Sequence, residues 1–162
     1  MAKNKEEKTN VMRVLEQKKI AYTAHTYPHE EGVAVDGVTV AKSMGFDPAI
    51  VFKTLVARGA SKQYYVFDVP VAENLDLKKA AKAVGEKSIE MIHQKELLPL
   101  TGYVHGGCSP VGMKKLFPTV FHSSAENLAA MIVSAGKIGY QVELAPRDLA
   151  ALVRAKFADI IA

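Results

Sequence analysis

One cysteine, Cys108, and no tryptophan occur among the 162 residues. A lone thiol forms no intramolecular disulfide, and it leaves too few ligands for a cysteine-based zinc site. Apolar runs are short, as in Leu128 to Val133, whereas a membrane-spanning helix needs about 20 such residues. The opening MAKNKEEKTN lacks the apolar stretch of a secretory signal. Together these absences imply the cytoplasm and exclude a membrane partner. Excess charge of one sign is also missing. With 21 Lys and Arg against 17 Asp and Glu, the net charge of +4 permits a nucleic-acid partner, but a dedicated duplex-DNA reader would be more basic and more clustered. No Gly-x-Ser-x-Gly elbow and no His-Glu-x-x-His pair is present. His25 and His29 flank a strand end and Pro28 rather than one helical face, so neither a metal nor a cofactor is expected.

Hydrophobic residues make up 49% of the chain and charged residues 23%, as in a soluble globular protein. The length predicts one domain over residues 9–162, with residues 1–8 as a frayed tail. Thr9 or Asn10 caps a first helix running to about Lys19. Ala21 to Tyr27 is extended, and Val38 to Met44 is a short helix ended by Gly45. Ile50 to Arg58 and Gln63 to Val69 are rich in β-branched and aromatic residues and read as strands joined by a hairpin. Leu77 to Val84 is a helix, with Lys78, Lys79 and Lys82 on its wet face. Ser88 to Met91 is a short strand. Gln94 to Leu98 is a helical turn stopped by Pro99. Thr119 to His122, Met131 to Val133 and Tyr140 to Ala145 are strands, and Pro146 opens a last helix to about Ala155. Hairpins imply antiparallel pairs rather than a doubly wound parallel sheet. The expected architecture is α/β: a curled, barrel-like mixed sheet with helices packed outside.

Two features carry chemistry. The first is Lys53. Side chains alternate across a strand, and both Ile50-Phe52-Thr54-Val56 and Val51-Lys53-Leu55-Ala57 are mostly apolar, so the strand is covered on both sides. A lysine is almost never fully buried without a partner. Either Lys53 snorkels to an edge or pairs with a carboxylate, or it projects into a polar cavity that receives an anion. The second is the loop Gly102 to Gly112, with Gly106 and Gly107 adjacent. Adjacent glycines permit close backbone approach and aim N–H groups at a negative oxygen; the same residues also make an ordinary turn. Cys108 beside His105 raises a thiol nucleophile as one reading, and a small apolar filler as the other, favoured one.

Phe52-Lys53-Thr54-Leu55 together with Gly106-Gly107-Cys108-Ser109-Pro110-Val111-Gly112 resembles the YbaK/EbsC-type aminoacyl-tRNA deacylase family, nearest its Cys-tRNA(Pro) branch. His25-Thr26-Tyr27, Asn74 to Lys82, Thr101-Gly102-Tyr103, Val133-Ser134 and Gly136-Lys137 fit in order and spacing, from about Thr9 to Ala162. The resemblance implies the fold of the prolyl-tRNA synthetase editing domain. It implies Lys53 and Gly106 as catalytic, and Tyr27, Thr54, Gly107, Ser109 and Ser134 as substrate-binding. It also implies hydrolysis of mischarged Cys-tRNA(Pro), with Cys-tRNA(Cys) a second candidate, through attack by the cysteinyl thiol of the substrate. The partners implied are aminoacyl-tRNA and, transiently, prolyl-tRNA synthetase. Lys-Thr-Leu fits the cysteine branch, where the alanine-specific branch tends to carry Lys-Asn. Alternatives are an Ala-tRNA(Pro) deacylase and a non-catalytic module that binds tRNA ends or the synthetase. Two departures stand out: Asp36 where nearest relatives carry Phe, and Ala135 in a Ser-Gly-Gly segment.

Overall fold

The computed structural model describes residues 8–162. The expected tail therefore lies outside the described residues except for Lys8, whose Nζ pairs with Glu16 Oε1 at 2.9 Å. Helix α1 spans Asn10–Gln17, capped by Thr9, whose hydroxyl oxygen accepts the Met12 N–H, and it buries Val11, Met12 and Leu15. Strand β1 (Thr23–Thr26) follows. Helix α2 (Gly37–Met44) is capped by Asp36 and ends at Gly45, with φ +80°. A 3-10 turn over Pro48–Ile50 leads into β2 (Phe52–Gly59), which therefore starts later than its apolar pattern suggests.

Strand β3 (Tyr64–Pro70) returns antiparallel to β2. Helix α3 (Leu77–Val84), β4 (Ile89–Met91) and α4 (Gln94–Thr101) come next. Pro99 lies inside α4 rather than stopping it, a correction to the expected single turn. One internal N–H is lost, but Glu96 accepts the His93 N–H at 2.8 Å and Gly102 donates to Leu98, which holds both ends. Strands β5 (Thr119–His122), β6 (Met131–Ser134) and β7 (Tyr140–Leu144), helix α5 (Pro146–Val153) and β8 (Lys156–Ala158) complete the order. The last helix ends at Arg154, whose φ is +58°, and β8 occupies a stretch where sequence gave no strand signal.

The strands form two sheets, β1-β7-β6 and β4-β2-β3-β5-β8. The first is antiparallel; the second is mixed, with β3–β5 and β5–β8 parallel. The mixed α/β architecture is as expected, but the curl does not close into a barrel. A parallel bridge between Val51 and Ile132 links the two sheets. One core packs α1 and α5 on the three-stranded sheet through Leu15, Met131, Val142 and Leu149. Another packs α3 on the five-stranded sheet through Ala80, Phe67, Val69 and Ile160.

Candidate active site

Strand β4 pairs with β2 only at Ala57–Gly59, so Phe52 to Leu55 run along a sheet edge. A cavity of about 290 Å³ opens there, and Lys53 and Thr54 line it together with Gly106 and Cys108 of the glycine loop, Ser134 of β6, Gln141 of β7, and Tyr27. The cavity thus lies across the seam between the two sheets. Lys53 is half-buried. Burial pulls its ammonium below the ordinary lysine range, and Glu73 opposes this through space. Its charge is therefore neither solvated freely nor cancelled by an ion pair with Glu73. Of the two readings of Lys53, the structure shows a cation on the wall of a largely apolar cavity, with no carboxylate in ion-pair contact among the described residues.

The glycine loop is held from inside. Tyr103 donates its hydroxyl to the Val111 carbonyl, and Ser109 Oγ accepts the Val111 N–H at 3.2 Å. Gly107 donates its N–H to Val104 at 2.9 Å and sits 3.1 Å, at a notional Cβ, from the Ile138 nitrogen. Gly107 and Ser109 therefore shape the loop rather than line the cavity. Gly106 alone of the glycine pair reaches the wall, with φ +90°. The other five expected site residues, Lys53, Thr54, Tyr27, Gly106 and Ser134, meet at one place.

Tyr27 is almost fully buried and its backbone N–H donates to Gly139; burial pushes its phenol up. Ser134 Oγ accepts the Gly136 N–H at 3.1 Å. Its register partner is Gln141, a buried residue that sequence reasoning missed, whose Oε1 has no partner among the described residues. An unpaired buried acceptor costs about 1–3 kcal/mol, so its position on the wall suits a donor brought by a ligand. Asp36 explains its own departure from the resemblance. It caps α2, accepting the Thr39 N–H at 3.1 Å and the Thr39 hydroxyl at 2.6 Å, and these bonds hold its carboxyl below the usual range. It also lines the cavity, placing a small carboxylate where an aromatic ring would take up volume.

Cys108 and His105 both line the cavity. Cys108 is buried, and burial, then the nearby Asp68, pushes its thiol up to about 12. A thiol nucleophile needs a depressed, not an elevated, pKa, which favours the filler reading. His25 bonds Glu143 at 2.7 Å and His29 bonds the Tyr27 carbonyl at 2.9 Å. Among the described residues no group of three or more His, Cys, Asp or Glu is placed to hold a metal.

A half-buried cation, Lys53, and a glycine bend at Gly106 share one small cavity, in which the Cys108 thiol is held protonated. The family model for the aminoacyl-tRNA editing domain matches residues 32–152. A protein of Enterococcus faecalis, named "Putative Cys-tRNA(Pro)/Cys-tRNA(Cys) deacylase EbsC", is 46% identical over 161 residues, 99% of this chain and 98% of that one. The chain belongs to the aminoacyl-tRNA editing domain family. Two solved structures share its fold. One, described as a "putative trans-editing enzyme for prolyl tRNA synthetase", is 24% identical with a TM-score of 0.79, covering 94% of each chain. The other, "hypothetical protein APE2540", is 19% identical with a TM-score of 0.82, covering 94% of this chain and 99% of that one.

Proposed function

We propose that this chain is a trans-editing hydrolase that deacylates Cys-tRNA(Pro), and that residues 9–162 act as one editing domain. The observation that carries this reading is the meeting of Lys53 and Gly106 on one cavity. Family membership and the name of the 46% identical relative support it. Lys53 holds the terminal adenosine through its ribose or phosphate. Gly106 presents a backbone N–H to the ester carbonyl, where negative charge develops. Tyr27, Thr54 and Ser134 bound the aminoacyl end.

The substrate supplies the nucleophile. Its cysteinyl sulfur attacks its own carbonyl carbon, the C–O bond to the ribose breaks, and the thiol proton passes to the departing ribose oxygen. The ring thioester so formed is opened by water to free cysteine. This chemistry needs orientation and charge stabilisation from the protein, and the cavity holds groups for both. A cytoplasmic location and a transient complex with prolyl-tRNA synthetase complete the proposal; the latter would supply tRNA selectivity that a net charge of +4 does not.

The test is single-turnover hydrolysis of purified Cys-tRNA(Pro), with Ala-tRNA(Pro) as the control. Rapid loss of the cysteinyl ester alone is the expected result. Preferential loss of alanine assigns the alanine-specific activity, and a gel shift with both esters intact assigns a binding module.

A further inference from the structure

Asp68 is fully buried in the middle of β3. It faces its register partner Thr54 across the β2–β3 ladder, and the Thr54 hydroxyl donates to Asp68 Oδ1 at 2.5 Å. Asp68 Oδ2 has no partner among the described residues. A buried carboxylate is tolerated only when paired or fully hydrogen-bonded, and this one has a single neutral partner. The groups facing it are few. From β2 there is the Thr54 hydroxyl; from β5 its register partner is the apolar Phe121; from the glycine loop there is the Cys108 thiol, itself held protonated. Lys53, next to Thr54 on β2, lines the same cavity, and the charge coupled to it is that of Glu73 rather than Asp68. Burial accordingly pushes the Asp68 carboxyl up to about 7, against the opposing hydrogen bond from Thr54.

The two protonation states hand Thr54 opposite roles. With Asp68 ionised, the Thr54 proton is committed to Oδ1, and only hydroxyl lone pairs remain for the cavity that Thr54 lines. With Asp68 protonated, the carboxyl can donate to Thr54 Oγ1, and the Thr54 proton turns toward the cavity as a donor. One proton taken from solvent accounts for the change. We propose that Asp68 is a positioning residue whose ionisation fixes Thr54 as a hydrogen-bond acceptor for a donor on the aminoacyl ester, such as its α-amino group or a terminal ribose hydroxyl. This rests on the deacylase reading above. Asp68 touches no substrate; it acts through Thr54.

The test joins two measurements. In the free protein labelled with 13C-aspartate, the Asp68 carboxyl resonance, assigned by its loss in Asp68→Asn, is followed through pH 5 to 9 together with the Thr54 methyl. A common midpoint near neutrality is expected. A carboxyl that titrates in the ordinary aspartate range, or a methyl that does not follow it, overturns the proposal. Second, kcat/KM for Cys-tRNA(Pro) is expected to rise several-fold through the same midpoint in the wild type. That step should vanish in Asp68→Asn and in Thr54→Val, while the ionisations of the substrate itself persist in all three. An unchanged step in both variants overturns the proposal even if turnover falls. Absence of hydrolysis by the wild type at every pH overturns the deacylase reading, and with it the role toward this substrate; the resonance titration then separately decides whether Asp68 and Thr54 are coupled.

Discussion

Gly106 lies so close to Ala34 that a Cβ placed on it would sit 2.7 Å from the Ala34 Cβ and 3.1 Å from its Cα. The same glycine has a φ of +90°, which L side chains rarely adopt. Gly106→Ala is therefore expected to cost about 1–3 kcal/mol and to move the loop wall away from the substrate. Denaturant unfolding and single-turnover deacylation should fall together. A variant with unchanged stability and rate would separate this glycine from the site.

Lys53→Ala is expected to keep the fold and lose activity on the order of 10²-fold or more, as when a preorganised electrostatic contact is removed. Burial already disfavours its ammonium, so removing it relieves that desolvation and should leave the melting temperature near the wild-type value. Circular dichroism melts and turnover on Cys-tRNA(Pro) check both halves.

Cys108→Ala should retain turnover within a few-fold. The thiol is buried and held protonated, so its loss removes packing, costing on the order of 1 kcal/mol, rather than chemistry. Alkylation of the native protein by iodoacetamide should be slow for the same reason. A dead variant of normal stability would restore the thiol to the mechanism.

If the cysteinyl group attacks its own ester, Ser-tRNA(Pro) must be hydrolysed far more slowly than Cys-tRNA(Pro). The gap should exceed the about 1–3 kcal/mol by which a cavity separates side chains of similar size. Equal rates would exclude self-attack.

Stability should also depend on pH through Asp68. Its folded pKa, near 7, lies above the unfolded value, so the native state holds the proton more tightly. Its contribution is complete at acid pH below the unfolded pKa and is lost as pH rises toward 7, by a few kcal/mol at the order of magnitude set by about 1.4 kcal/mol per unit. Urea unfolding at pH 5 and pH 8 should show this loss in the wild type and a smaller one in Asp68→Asn.

The sequence made Lys53 legible because a cation interrupts an apolar alternation. Asp68 interrupts Tyr64 to Pro70 in the same manner, and the same test applied to that strand would have found it. Gln141 carries no such mark: it belongs to the site because the β6–β7 register sets it opposite Ser134, and register is a tertiary fact. Gly107 and Ser109 look like ligand groups by composition, yet their polar groups engage the loop itself. Strand β8 was invisible for a related reason. It is three residues long and pairs in parallel with the distant β5, so nothing local announces it. Helices α2 and α3, by contrast, were readable to within a residue because Gly45 and Gly85 end them in left-handed geometry.

The Val51–Ile132 bridge has a mechanical consequence. Val51 and Ile132 pack in one apolar cluster with Ala41 and Val71, and Lys53 and Ser134 each lie two residues beyond the bridge, so the spacing between them across the cavity is set by backbone pairing and packing.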